Sequence, residues 1–390
     1  MKRRRRSLYF YKSALSVIAI VFIFAVGMFF LKNLQYTESW SFMKRHEKET
    51  RSFVKHMGPG INLGNTLDSH NLHFETKEPY DFETYWGNPV TAKEMIEDMS
   101  AAGFEVLRIP VTWYEHMDDD YNIDPAWLER VKQVADYGLD AGMYVIINAH
   151  HDSWYTPDDE HFPEARKIMQ SVWSQIAERF QEYDHRLLFE SMNEPRLIGE
   201  ADEWSDGTIR SREIINELNE IFVRTIRGSG GENSDRYLIL PTYCAKPYEK
   251  ALKDFIMPEE KGLIVSIHLY SPYNFTLNME GTSDFDYNNP SDTEEINKIF
   301  DNIDKFFISR DVPVIITEFS AVDKKNERQR AEWVGYVRKR AEALGIACIW
   351  WDAGPGEEDG KPFPLYNRYT GKWLFPDLLE ALTESHANDL

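Results

Sequence analysis

From Met57 onward the chain repeats one unit: a short apolar run followed by an amphipathic stretch of helical period. The apolar runs are Gly60–Leu63, Val106–Pro110, Tyr144–Asn148, Leu187–Ser191, Tyr237–Leu240, Leu263–His268, Val314–Glu318 and Ala347–Trp351. Helical patterns follow them near Ala92–Ala102, Trp127–Asp140, Pro163–Tyr183, Ile209–Arg227, Tyr248–Phe255, Thr293–Ser309, Glu327–Leu344 and Pro376–Glu384. Several runs are apolar without alternation, as strands buried on both faces are. Eight such strands, each leading to a helix, predict an α/β fold closed as a (β/α)8 TIM barrel. An open doubly wound sheet is the competing architecture. It is disfavoured because no GxGxxG turn follows the first strand.

The N-terminus is of a different kind. Residues 1–32 hold seven basic residues and no acid, and the 18-residue run Ala14–Leu31 is apolar. As a helix that run is about 27 Å long, enough to cross a membrane. An uncleaved signal anchor is expected, because no small-x-small cleavage site follows Phe29-Phe30-Leu31. The alternative is a secretory signal removed after export. Either way the basic end stays inside and the body is extracytoplasmic. The charged segment 33–57 is expected to be a helical stalk, and 58–390 the barrel domain. Outside residues 1–32, 37 basic residues face 65 acidic ones. A body this acidic repels nucleic acid and suits a neutral substrate. The two cysteines, Cys244 and Cys348, lie in apolar contexts and are expected as buried free thiols. No sequence feature calls for an oligomer, and a monomer is expected.

In a barrel of this type the working residues stand at the C-terminal ends of the strands. Those ends carry Asn62, Asn65 and Asp68; Arg108 and Trp113; His150, His151 and Asp152; Asn193 and Glu194; His268 and Tyr270; Glu318; and Trp350, Trp351 and Asp352. The stretch LLFESMNEPR (187–196) shows the pattern most clearly: a buried strand, then an amide and a carboxylate, then Pro195 ending the ladder. Strands four and seven face each other across such a barrel, so Glu194 and Glu318 can meet. Two carboxyls at about 5 Å suit retaining glycoside hydrolysis, one as acid and one as nucleophile. Arg108 beside a carboxylate is expected to lower its pKa, and burial near a negative partner to raise one.

These motifs resemble glycoside hydrolase family 5, most closely the bacterial endo-β-1,4-glucanases and xyloglucanases of its subfamily 4. The resemblance runs from about Gly58 to Trp373 through GINLGNTLDS (60–69), YWGNP (85–89), AAGFEVLRIPVTW (101–113), VIINAHHD (145–152), LLFESMNEPR (187–196), PTYCA (241–245), IVSIHLYSPYNF (264–275), PVIITEFSA (313–321) and CIWWDAG (348–354). It implies a retaining endo-β-1,4-glucanase without cofactor, with Glu194 as acid/base and Glu318 as nucleophile. It further implies Asn193 at the sugar 2-hydroxyl, Arg108 beside the nucleophile, and His150 and His151 as a pair whose first member faces the reacting sugar. His268 and Tyr270 support the two carboxyls, Trp351 is the stacking platform, and Asn65 and Asp68 touch substrate. The sequence departs from the family at TEFSA, where GEFGA is usual, and at WWDAG, where WWDNG is usual; Ala353 removes an amide near the platform. Xyloglucan, mixed-linkage glucan and mannan are alternative substrates, and a non-catalytic carbohydrate-binding barrel is the alternative of another class.

Several features have plainer readings. Adjacent His150 and His151 are expected to point to opposite faces, so no metal is expected. Asp118-Asp119-Asp120 with Asn122 and Asp124 lacks the glycine and terminal glutamate of a calcium loop and is expected as a solvated turn. Ser153 and Ser191 lie in no GxSxG elbow. Trp127, Trp173 and Trp333 fall on helices and are expected to pack, while Tyr85-Trp86 fits either a distal sugar contact or the barrel rim.

Overall fold

Eight parallel strands close on themselves in chain order: β1 Gly60–Leu63, β2 Val106–Ile109, β3 Tyr144–Asn148, β4 Leu187–Glu190, β5 Leu238–Pro241, β6 Leu263–Leu269, β7 Val314–Phe319 and β8 Ala347–Asp352, with β8 paired to β1. The computed structural model describes residues 46–71, 78–354 and 363–384. The helices that follow the strands are α1 Lys93–Ala101, α2 Pro125–Asp140, α3 Phe162–Arg179, α4 Ile209–Gly228, α5 Glu249–Lys253, α6 Pro290–Phe306, α7 Glu327–Leu344 and α8 Pro376–Thr383. Strands and helices thus lie where the apolar runs and helical periods place them. The open-sheet alternative is excluded by the β1–β8 ladder. Local chemistry starts the helices: Asp124 accepts from the Ala126 amide ahead of Pro125 in α2, and Thr208 and Ser211 form a reciprocal cap on α4.

Strand parity sorts the interior into layers. Val106, Ile146, Leu188, Ile239, Ile264, Ile315 and Ile349 form an apolar floor at the N-terminal end of the barrel. Two residues further along, six of the eight strands turn a polar residue inward: Asn62, Arg108, Asn148, Glu190, Ser266 and Thr317, all buried. Opposite parity carries Leu107, Ile147, Phe189, Ile267 and Ile316 outward into the main core shared with the helices. Trp127, Trp173 and Trp333 are fully buried there, as their helical positions imply. Burying each such side chain contributes about 1.5–3 kcal/mol or more of hydrophobic stabilisation.

Strand β7 breaks the parity once. Its pairing with β6 shifts so that Ile267 meets Ile316 while His268 meets Glu318, and its pairing with β8 also shifts between Ile316 and Phe319. The extra residue is a bulge, which re-aims the chain after it. Ile315 and Thr317 already face inward; the bulge turns Glu318 inward as well. Regular alternation would have pointed Glu318 into the helices.

The stalk expected over 33–57 needs correction at its C-terminal end. Residues 46–55 are helical, and Thr50, Val54 and Met57 are buried. Val54 and Met57 close the apolar floor from below, and Phe53 stacks on Tyr237 at 3.8 Å. Arg51 donates to the Ile308 carbonyl at 3.1 Å and pairs with Asp311 at 3.3 Å. These residues belong to the compact unit Glu47–Leu390, because a Thr50-Val54-Met57 stripe at helical spacing finds an open barrel end to cover. The basic tail and apolar run of 1–32, and residues 33–45, lie outside the described residues. Among the described residues no helix is long and apolar enough to cross a membrane.

Candidate active site

The polar layer is organised by Arg108, which is fully buried and uses all of its nitrogens. Nε donates to Glu190 Oε2 at 2.7 Å, and Nη1 donates to Asn62 Oδ1 and to Glu318 Oε1, both at 2.8 Å. Nη2 donates to Asn193 Oδ1 at 2.7 Å. Burial disfavours its charge, but Glu190 and Glu318 more than compensate and push its pKa higher still. Each partner is held in turn. Asn62 Nδ2 donates to the Thr317 carbonyl at 3.0 Å, and Ser266 Oγ donates to Glu190 Oε1 at 2.7 Å. The Ser266 and Thr317 hydroxyls lie 2.5 Å apart. Thr317 therefore has a bonded role in this chain, which accounts physically for one of the two side chains that differ in TEFSA.

Above this layer stand the two carboxyls. One oxygen of Glu194, one of Glu318 and a ring nitrogen of His268 all lie within 4.8 Å of one another. His268 Nδ1 is 2.7 Å from Glu194 Oε1 and 3.5 Å from Glu318 Oε2. Tyr270 Oη donates to Glu318 Oε2 at 2.9 Å. The loop bearing Glu194 is pinned on both sides, by the Asn193 amide donating to the Ala149 carbonyl and the Cys244 amide to the Pro195 carbonyl, at 2.8 and 2.9 Å. Trp173 Nε1 on α3 donates to the Ser191 carbonyl at 3.2 Å.

Burial raises both carboxyls. In Glu194 it is outweighed by the His268 hydrogen bond and by the charges of His268, Arg196 and Lys246, which leave it lowered to about 2. In Glu318 burial prevails over the charges of His268 and Arg108, with Glu194 adding to it, so its pKa lies above the ordinary carboxylate value. The lowering expected from Arg108 is present but outweighed. This net direction favours a proton on Glu318, whereas its hydrogen bonds favour the ionised form, since Oε1 and Oε2 each accept from a donor. The hydrogen bonds decide between them. They are set by the fold, through Arg108 on β2 and Tyr270 just beyond β6.

The other wall carries rings. His150 lies parallel to Trp351, with centroids 5.5 Å apart and planes 6° from parallel. Its Nδ1 meets Asn148 Nδ2 at 3.1 Å, and burial holds it neutral, well below the usual imidazole range. Trp351 fits because Gly64 has no side chain: a Cβ there would sit 2.8 Å from Trp351 Cζ2. His151 is lowered to about 3 by burial. Its ring stands edge-on to His150 at 4.4 Å and near His70 and Trp86, at 4.7 and 5.7 Å. The two histidines thus do not point to opposite faces. β3 ends at Asn148, and the loop beyond it brings both rings to the cleft mouth. Asp68 joins them in a cluster with donor atoms within 4.8 Å. His150 Nδ1 is already matched to Asn148, and Asp68 accepts from two backbone amides, so the donor set is poorly suited to an ion.

Asp68 itself differs from its expected role. It is fully buried, its oxygens accept from the Asn65 and Thr66 amides at 3.1 and 2.7 Å, and burial raises it to about 6. It shapes the loop after β1 and presents no face to a sugar. Asn65, with φ +57°, is equally buried, and its side-chain amide has no hydrogen-bond partner among the described residues. Trp86, beside His70, lies with the cleft-mouth rings rather than in the core. Ala353 is buried against Val322, Trp351 and Phe363. Asp118 accepts from the Asp120 and Asn122 amides as a turn, Ser191 Oγ donates to Asn219, and both cysteines are free and buried. Glu190, Ser266 and Asn148 hold the site together yet were not singled out by sequence. An ionisable Glu190 two residues beyond inward-facing Leu188 was the available signal.

The family model described as Cellulase (glycosyl hydrolase family 5) matches residues 68–357. Endoglucanase B of Ruminococcus albus is 41% identical over 343 residues, covering 87% of this chain and 81% of its own. Endoglucanase A of Clostridium longisporum is 39% identical over 345 residues, covering 87% of this chain and 66% of its own length. Among solved structures, a GH5-4 broad-specificity endoglucanase from Ruminococcus champanellensis with bound cellotriose superposes with a TM-score of 0.82 at 39% identity, covering 86% of this chain and 98% of that one. A family 5 lichenase from Caldicellulosiruptor sp. F32 gives 0.82 at 38% identity, covering 86% and 94%. With the barrel, the paired carboxyls and these matches in agreement, the chain belongs to glycosyl hydrolase family 5.

Proposed function

We propose that the protein is a retaining endo-β-1,4-glucanase that works by double displacement. The observation that carries this reading is the close approach of Glu194 and Glu318, within 4.8 Å, with His268 between them. That spacing suits a nucleophile and leaves no room for a water between carboxylate and sugar. In the first step a Glu318 oxygen bonds to the anomeric carbon, the glycosidic C–O bond breaks, and the leaving oxygen takes a proton from Glu194. His268 Nδ1, 2.7 Å from Glu194 Oε1, is the group within reach to exchange a proton with Glu194. In the second step Glu194 removes a proton from water, the hydroxyl bonds to the anomeric carbon, and Glu318 departs. Two inversions retain the β configuration. Asn193 has its oxygen engaged by Arg108, so its amide N–H is the group left to hold a sugar hydroxyl. His150, His151 and Trp351 form the rest of the sugar-facing surface, and Tyr270 steadies the nucleophile.

A β-glucan substrate is supported by the endoglucanase and lichenase names of the relatives and by cellotriose bound in a neighbour. Reducing-end assays on a panel of cellulosic glucan, mixed-linkage glucan, xyloglucan and mannan test it, and activity confined to mannan would overturn it. Glu318→Ala should abolish turnover; ordinary turnover would remove the nucleophile assignment. The basic run followed by Ala14–Leu31 supports an exported, membrane-anchored enzyme. A mature N-terminus near residue 32 would refute the anchor in favour of secretion.

A further inference from the structure

Arg196, two residues beyond Glu194, is tied to that residue twice. Its Nη1 donates to the Glu194 backbone carbonyl at 3.2 Å and lies 3.8 Å from Glu194 Oε2. Its Nε donates to Glu203 Oε1 at 3.0 Å, and its guanidinium carbon lies 4.4 Å from the centre of the Trp204 ring. Glu203 Oε2 accepts from the Gly199 amide at 2.8 Å, so the loop after β4 is folded around the guanidinium. A hydrogen bond to a carbonyl and a ring to pack on need only a neutral side chain. A cation here also opposes protonation of the one carboxyl that must carry a proton to the leaving group, and Glu203 offsets it in part.

Glu194 is faced by other groups: His268 from β6, Glu318 from β7, Lys246 and Cys244 from the loop after β5, and His151 and Tyr155 from the loop after β3. Lys246 is a second cation acting on Glu194. Its ammonium rests over the Trp204 and Tyr248 rings, at 5.8 and 5.3 Å, and so supplies charge without fixing the carboxyl.

We infer that Arg196, with Glu203 as its counter-charge, is a positioning residue that holds the Glu194 carboxyl and sets the pH at which it gives up its proton. The inference rests on the acid/base role proposed for Glu194. A positive charge at ion-pair distance favours the carboxylate, the form Glu194 needs to activate water. The pair therefore biases Glu194 toward the second step, at the expense of the protonated fraction available at high pH in the first.

The test is the pH profile of kcat/KM on a soluble β-glucan for Arg196→Gln, Arg196→Lys and Glu203→Gln. The alkaline limb reports loss of the acid's proton. It should move up by about one pH unit in Arg196→Gln, stay near wild type in Arg196→Lys, and move down in Glu203→Gln. A loop that is merely disordered lowers the whole profile without moving the limb. Limbs that stay put, or that move the same way in both charge-removing variants, would overturn the inference. Should Arg196→Gln not fold, Arg196→Lys and Glu203→Gln still give the sign. Glu194→Ala separates the two levels: inactivity with unmoved limbs elsewhere rejects the role of Arg196 alone, whereas turnover by Glu194→Ala rejects the acid/base assignment beneath it.

Discussion

Replacing Glu190 with glutamine isolates the ion pair on which the site is built. Glu190 and Arg108 are both fully buried, 2.7 Å apart. At an effective dielectric of about 20, charges at that distance attract by roughly 6 kcal/mol. Most of that offsets the dehydration of two ions, so the intact pair adds little; removing one partner typically costs about 3–5 kcal/mol, because a buried charge is left behind. Glutamine keeps an oxygen for Arg108 Nε, and Glu318 remains as a second carboxylate 2.8 Å away. The lower end applies, about 3 kcal/mol of folding stability. The guanidinium also loses its pull toward β4, and its hold on Asn193 loosens, so kcat should fall by about tenfold or more. Urea unfolding and steady-state kinetics on the same preparation measure both. A Glu190→Gln variant within 1 kcal/mol of wild type, with unchanged kcat, would refute the claim that Glu190 anchors Arg108.

Tyr270→Phe removes the 2.9 Å hydrogen bond to Glu318 Oε2; a bond to a charged group is worth about 1.5–3 kcal/mol, so kcat should drop roughly ten- to a hundredfold, and an unchanged kcat argues against a supporting role. Met57→Ala opens the barrel floor and should cost about 2–3 kcal/mol of stability while leaving kcat of the folded enzyme intact; lost activity without lost stability would contradict a purely packing role. Asp68 is raised to about 6 by burial, so the folded state binds its proton more tightly than the unfolded chain does. Its contribution, about 3 kcal/mol, is present below the ordinary carboxyl range near 4 and is lost as pH rises through about 6. Asp68→Asn should therefore gain stability relative to wild type between pH 4 and 7 in denaturant midpoints, and parallel curves would show that Asp68 does not titrate there.

The barrel was legible because strands buried on both faces read as unbroken apolar runs, and helices between them keep their period. Strand ends moved by a residue or so: Tyr237–Leu240 became Leu238–Pro241. The ring of polar strand ends was legible for the same reason, since a strand's end is where burial stops. What hid was long-range or irregular. Nothing in Ile315-Ile316-Thr317-Glu318 announces a bulge, because it arises from pairing with two other strands. Glu190 meets Arg108 from 82 residues away. Asp68 reads as a ligand-facing acid until its backbone amide partners are seen. The helix over 46–55 was expected, but its packing onto the barrel floor was obscured by its charged neighbours, although Thr50, Val54 and Met57 already marked one face.

The anomeric configuration of the first product, followed by proton NMR as a soluble β-glucan is cleaved, bears most directly on the paired-carboxylate account. Glu318 as nucleophile with Glu194 as acid/base predicts that the β-anomer forms first and only later mutarotates. An α-anomer appearing first would mean that a water, not Glu318, attacks the sugar, and the double displacement would be wrong.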